Sequence, residues 1–175
     1  SEDSELCPIL NPYASSKYAG EDLCRMYSKL YGLHTTILRY FNVYGNRQHT
    51  TGQYAPVLGV FMKQNEEGLP LTVTGEGKQR RDFVNVSDVV DANIKCMDYP
   101  LELNGDVFNI GNGDNRSVNQ IANLLSEDGD RINREPVIEP KETLADNSKA
   151  KKVLGWKPTN KIENWIVKYK EEMGL

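Results

Sequence analysis

In the stretch NPYASSKYAG, residues 11–20, a phenol, Tyr13, stands four positions before an ammonium, Lys17. Positions i and i+4 of a helix are neighbours on its surface, so a helix here sets the two groups side by side. A free tyrosine, with a pKa of about 10, is a poor base at neutrality. An adjacent cation favours the phenolate and lowers that value by about 1–3, and the positive end of a helix acts in the same direction. The chemistry expected of Tyr13 and Lys17 is therefore movement of a proton. Metal chemistry is not expected: Cys7, Cys24 and Cys96 form no CxxC pair, and His34 and His49 complete no ligand spacing. Such cysteines read as reduced thiols of a cytoplasmic protein.

The elements that must position the pair follow from pattern and punctuation. Asn11 can cap a helix with Pro12 in its first turn, where a missing N–H costs nothing, and Gly32 is a natural stop. At about 100° per residue, Ala19, Leu23, Met26, Tyr27 and Leu30 make one stripe, the expected core face. Glu21, Arg25 and Lys29 fall opposite, and Tyr13 and Lys17 lie on the seam between. The run TTILRYFNVYG (35–45) reads as a strand entering a loop, 54–67 as a helix, and LTVTG (71–75) as a short strand. RRDFVNV (80–86) leads into a helix capped by Ser87, with Val86, Val90, Ile94 and Met97 on one face. DVFNIGNG (106–113) is a strand running into a glycine turn. Ser117 and Gln120 form a capping box, EPVIEP (135–140) suggests a short strand, and helices close the chain over 148–154 and roughly 161–172. Alternating helices and strands point to an α/β fold with parallel pairing. The turns GEGKQ (75–79) and GNGDN (111–115) lack the dinucleotide-binding spacing, so these residues are expected to bind NAD weakly or not at all by themselves.

Composition sets outer bounds. The 175 residues are 38% hydrophobic and 26% charged, with a net charge of −4. That balance disfavours a nucleic-acid-binding surface. The longest apolar run, Val57–Met62, is too short to span a membrane, and no secretory signal pattern precedes it.

Five blocks then point to a family: NPYASSKYAGE, LRYFNVYGNRQ, GEGKQRRDFVNVSDVVDA, FNIGNG and LADNSKAKKVLGWKP. Together, in this order, they resemble the C-terminal half of an extended short-chain dehydrogenase/reductase. They are most similar to the NAD-dependent nucleotide-sugar epimerase/dehydratase group, in particular the UDP-sugar 4-epimerases. The resemblance implies that residues 1–53 are a remnant of a Rossmann domain carrying the YxxxK helix and the strand after it. Residues 54–175 would be mainly the smaller α/β substrate-binding domain, some segments returning to the Rossmann sheet, and the glycine-rich cofactor half would be absent. It further implies a cytoplasmic enzyme acting on a UDP-sugar, homodimeric at full length through the tyrosine-bearing helix, with neither nucleic acid nor membrane as partner.

Roles carry over by position. Tyr13 matches the family's acid/base, and Lys17 the lysine that holds the nicotinamide ribose of NAD. The family's upstream serine or threonine has no counterpart here, and Ser15 and Ser16 do not fill that place. Asn42 matches an asparagine that bonds the diphosphate region. Tyr54 and Ala55 fall where the sugar nucleotide is contacted, and Thr72 and Thr74 where backbone frames the uracil. Arg81 matches the arginine that grips the diphosphate, a job suited to a guanidinium fork, with Asp82 expected to orient it and Arg80 and Lys78 read as solvated charges. Tyr44 and Arg47 lie near the Asn42 loop. One departure stands out: where relatives carry Arg-x-Gly-Asp, this chain has EPKETLADNSKA (139–150), leaving Lys141 as the stand-in. The implied reaction is inversion at C4 of the hexose through a transient 4-keto sugar. The alternatives are 4,6-dehydration, reduction of a 4-keto sugar on the same scaffold, and a non-catalytic sugar-nucleotide-binding module.

Overall fold

Asn11 and Gly32 bracket the first helix, α1 (Pro12–Tyr31), in the computed structural model, which describes residues 1–2, 11–52, 55–126 and 129–174. The Asn11 side chain accepts the Ala14 N–H at 2.8 Å. Gly32 ends the helix in the left-handed region, φ 65°. Strands β1 (Thr36–Tyr40) and β2 (Asn42–Tyr44) follow, then α2 (Val57–Glu66), β3 (Leu71–Thr74), β4 (Arg80–Asn85) and α3 (Val86–Met97). Next come β5 (Asp106–Ile110), β6 (Asn115–Ser117), α4 (Val118–Leu125), β7 (Arg131–Arg134), α5 (Ser148–Leu154) and α6 (Ile162–Met173). Expected parallel pairing is present. β1 runs parallel to β5 (Thr36 opposite Asp106), β2 to β4 and β3 to β7, while β6 lies antiparallel to β4. The capping box at Ser117 and Gln120 forms as expected.

Two hydrophobic cores hold these pieces. One gathers Leu58 and Phe61 of α2, Leu71 and Val73 of β3, Ile121 and Leu125 of α4, Ile166 of α6, and Tyr44. The other gathers Val84, Val89, Ala92, Phe108, Ile110, Ala150, Leu154 and Trp156 around β5, α3 and α5. Trp156 is fully buried; an aromatic of that size removes up to ~250 Å² from water, about 6 kcal/mol of gross transfer free energy. Its indole N–H needs a partner there and donates to the Asp88 carbonyl at 2.8 Å. The Asp88 carboxylate, also buried, clamps the chain just beyond the indole. It accepts the Thr159 and Asn160 backbone N–H groups (3.0 and 3.1 Å), the Thr159 hydroxyl (2.8 Å) and the Asn160 amide (3.0 Å). No described helix is long and apolar enough to cross a membrane.

Several local expectations are corrected. The α1 stripe Leu23, Met26, Tyr27 and Leu30 faces outward, and Ala19 is exposed with it. The inward arc instead carries Tyr18, Glu21, Cys24 and Ser28. Polar contacts set that phase: Arg39 of β1 donates to Glu21 at 2.7 and 2.8 Å, and the Thr35 hydroxyl donates to the Cys24 carbonyl at 3.1 Å. In α3, too, Val86, Val90, Ile94 and Met97 point out, because Asp88, Val89 and Ala92 take the inward side. The cap of α3 is Asn85, whose side chain accepts the Ser87 N–H at 2.9 Å, rather than Ser87. Helix α2 begins at Val57, after Pro56. Residues 135–140 form no strand; the strand lies just upstream, as β7.

Candidate active site

Pro12 starts α1 and so puts Tyr13 in its opening turn, where Lys17 stacks one turn later. Tyr13 is 61% exposed, with Lys17 Nζ 5.3 Å from its ring centroid. A cation over an exposed aromatic face contributes about 0.5–1 kcal/mol, enough to bias the lysine toward the tyrosine. The pair is thus presented to solvent, close together, at the positive end of a 20-residue helix.

Asn42 opens β2, directly beyond the carboxyl ends of β1 and β5, the edge where ligands of parallel sheets gather. There it lines a cavity of about 510 Å³ with Arg39, Asn109, Thr143 and Leu144. A second cavity, of about 500 Å³, lies between the β3–β4 turn and residues 136–141; Thr74, Gln79, Glu139 and Lys141 line it. One segment borders both. Its Lys141 carbonyl accepts the Arg80 N–H at 2.9 Å, its Thr143 N–H donates to the Arg80 carbonyl at 3.0 Å, and its Thr143 hydroxyl accepts the Asp82 N–H at 3.3 Å.

Arg81 lies under that segment, 9% exposed, and donates to the Arg80 carbonyl (2.8 Å) and to the Glu139 carboxylate. Asp82 does not orient it. The Asp82 carboxylate instead accepts the N–H groups of Asn112, Gly113 and Ala145 at 2.6, 2.9 and 3.0 Å, tying the glycine turn to the residues before α5. Burial pushes its pKa up, against those three donors, which favour the charged form. Arg80 is no solvated charge either: it donates to the Asn115 side-chain and backbone oxygens (2.6 and 2.8 Å) and to Gln120 (3.3 Å). Lys78 is exposed and pairs with Glu76 at 2.6 Å.

The remaining predicted residues scatter. Thr72 is spent on Gln64, which donates to its hydroxyl (2.9 Å) and accepts its N–H (3.1 Å), whereas the Thr74 carbonyl accepts Gln79 Nε2 at 3.1 Å beside the cavity. Ala55 is half-buried ahead of α2, its N–H on the Gly52 carbonyl at 3.2 Å. Tyr54 lies outside the described residues. Tyr44 is a core residue, its hydroxyl on the Asn160 carbonyl at 3.4 Å and its pKa raised by burial. Arg47 is exposed. Lys141 meets β4 through its backbone carbonyl. Sequence reasoning missed Glu139, which accepts from Arg81, and Gln79, which donates to Glu139; no local pattern in the sequence marks either. Among the described residues no cluster of three or more acidic, histidine or cysteine side chains could hold a metal.

Residues 1–111 match the NAD dependent epimerase/dehydratase family. The chain belongs to that family. A putative UDP-glucose 4-epimerase of Methanocaldococcus jannaschii is 34% identical over 168 residues, covering 90% of this chain and 53% of the relative. The crystal structure of a Thermotoga maritima UDP-glucose 4-epimerase with UDP-glucose superposes with a TM-score of 0.85 at 32% identity, covering 100% of this chain and 60% of that one. A Bacillus cereus UDP-glucuronic acid 4-epimerase, in complex with UDP-glucuronic acid and NAD, gives a TM-score of 0.84 at 31% identity, covering 99% of this chain and 58% of that one. The α/β architecture with parallel pairing is therefore the epimerase/dehydratase fold, in part: the chain spans about half the length of the curated relatives it matches. The family uses NAD, and the described residues suit one end of that cofactor. Tyr13 and Lys17 offer a phenol and an ammonium at an open surface. The two glycine turns offer no dinucleotide cradle, since 75–77 joins β3 to β4 and 111–113 joins β5 to β6, and neither opens a helix.

Proposed function

We propose that this chain supplies the proton-transfer and nucleotide-holding groups of an NAD-dependent enzyme that inverts C4 of a UDP-sugar. The observation that carries the reading is the Tyr13–Lys17 arrangement, an exposed phenol with an ammonium 5.3 Å from its ring centre in the first turn of α1. Tyr13 Oη takes the proton of the 4-hydroxyl and later returns one; Lys17 is the cation that stands beside it. NAD, when bound, carries the hydride during the same exchange. Inversion needs the hexose to turn over while its nucleotide stays fixed. Arg81 and Asn42 anchor the diphosphate end, and Thr74 borders the base; Thr72, Ala55 and Tyr54 belong to the same proposed frame. The chain alone, holding no dinucleotide cradle among its described residues, is inactive.

Residues 1–53 belong to the cofactor side, carrying α1 and β1, and 54–175 mainly to the substrate side, with β5 and α3 returning to pack on β1 and α5 packing on β5. The free thiols of Cys24 and Cys96 support a cytoplasmic setting. The outward apolar stripe of α1 supports a homodimer of the full-length protein built on that helix, with no nucleic acid or membrane as partner.

In the full-length protein, Tyr13→Phe is expected to lower kcat for interconversion of UDP-glucose and UDP-galactose by about 10²–10⁴-fold, with UDP affinity unchanged within a factor of about two. Activity within tenfold of wild type would overturn the role of Tyr13. Release of a 4-keto-6-deoxy product instead of an epimer would replace inversion by dehydration.

A further inference from the structure

The partner of Arg81 has a consequence for ligand binding. Residues 135–140 form a strap with an anchor at each end. At one, the Gly75 N–H donates to the Arg134 carbonyl at 2.9 Å; at the other, the Arg80 N–H donates to the Lys141 carbonyl at 2.9 Å. Between the anchors the strap has neither helix nor strand, Pro136 and Pro140 restrict its backbone, and Ile138 is 92% exposed, so no apolar packing seats its middle. Glu139 is the strap residue that turns inward. Its carboxylate accepts from Arg81 Nη2 and from Gln79 Nε2, the latter at 3.3 Å, while Gln79 also reaches the Thr74 carbonyl. Two N–H donors converging on one carboxylate beside a cavity form the donor set that a phosphate group would use.

We propose that Glu139 is an internal competitor for Arg81, which the diphosphate of an incoming nucleotide must displace. The inference rests on the assignment of Arg81 as the diphosphate anchor. A guanidinium this buried is costly to leave unpaired, and Glu139 keeps it paired while the site holds no ligand. Displacement exchanges one anion for another at the same donors and releases the carboxylate to solvent, which the strap's exposure allows. The apparent affinity for a diphosphate is then reduced by the fraction of molecules in which Glu139 holds Arg81. Glu139 also sets selectivity, because only a ligand that brings its own anion can replace it.

The test is calorimetric titration of the 175-residue chain with UDP and with uridine. Glu139→Gln, checked for folding by circular dichroism, is expected to bind UDP at least about threefold more tightly than wild type, with uridine binding unchanged. Glu76→Gln removes the same charge from the neighbouring turn, where Glu76 pairs with Lys78 rather than Arg81, and is expected to leave both affinities as they were. Should Glu139→Gln not fold, Glu139→Asp, which withdraws the carboxylate by one methylene, takes its place with the same expected direction. Equal or weaker UDP binding by the position-139 variant overturns the proposal, as does equal tightening by Glu76→Gln, which would mark a general charge effect. Failure of wild type and every variant to bind UDP would instead remove the assignment of Arg81, and the proposal with it.

Discussion

Replacing Asp88 by alanine isolates the clamp that closes the C-terminal third of the chain. Its carboxylate accepts four hydrogen bonds, two from the backbone N–H groups of Thr159 and Asn160 and two from their side chains. Thr159 and Asn160 are exposed, so their side chains can turn to water, but the two backbone donors point at the missing carboxylate. At about 1.5 kcal/mol for each hydrogen bond to a charged group, the two backbone bonds amount to about 3 kcal/mol. The bond from Trp156 should survive, since it uses the Asp88 main-chain carbonyl. With a urea m-value of about 2 kcal/mol/M, the unfolding midpoint of Asp88→Ala falls by about 1.5 M. Asp88→Asn, retaining one acceptor oxygen, should fall by about half as much, and Thr159→Ala, which removes only the exposed hydroxyl's bonds to Asp88 and to the Asn160 amide, by under about 0.5 M. Equilibrium urea denaturation followed by tryptophan fluorescence and circular dichroism reads all three. A midpoint shift below about 0.3 M for Asp88→Ala, or one no larger than that of Thr159→Ala, would refute the reasoning that the backbone donors carry the clamp.

The Arg39 guanidinium holds the Glu21 carboxyl below its ordinary value of 4.5. The unfolded chain therefore binds the extra proton first, and the pair's contribution, complete above pH 4.5, is lost as pH falls through the depressed value. Arg39→Met should flatten that part of a melting-temperature profile taken from pH 6 to pH 3, and an unchanged acid slope would show that the pair does not link α1 to β1 energetically. At Gly59 in α2, an added Cβ would lie 2.1 Å from the His49 carbonyl oxygen. Gly59→Ala should thus lower stability by about 1–3 kcal/mol in thermal melts, despite a gain in helix propensity of about 1 kcal/mol; a rise in melting temperature would count against so tight a contact.

Most elements, the ends of α1 and the start of α4 were legible in the sequence, and the reason is local. Asn11, Pro12 and Gly32 mark the ends of α1 through bonds and dihedrals confined to a few residues, and Ser117 with Gln120 marks the start of α4 in the same way. Helix phase was not legible. Periodicity located an apolar stripe on α1 and another on α3, but which side faces inward is set by contacts remote in sequence, Arg39 with Glu21 and Asp88 with Thr159 and Asn160. The site divides in the same way. Tyr13 and Lys17 are one turn apart, so their proximity could be read directly from spacing. That Glu139 reaches Arg81 across 58 positions could not, because residues 135–140 carry no periodic pattern to place them.

The pairing of Thr36 with Asp106 also bears on how the chain is made. β1 emerges from the ribosome 70 positions before the strand it must join (106 − 36), and at about 5–20 residues per second that is an interval of about 4–14 s. During those seconds the edge of β1 that β5 will cover waits for its partner, while α1 can already wind from local signals alone. Biogenesis should accordingly be most vulnerable at nascent lengths that expose β1 but not yet Ile110, and chaperone demand should peak there and fall once β5 clears the exit tunnel.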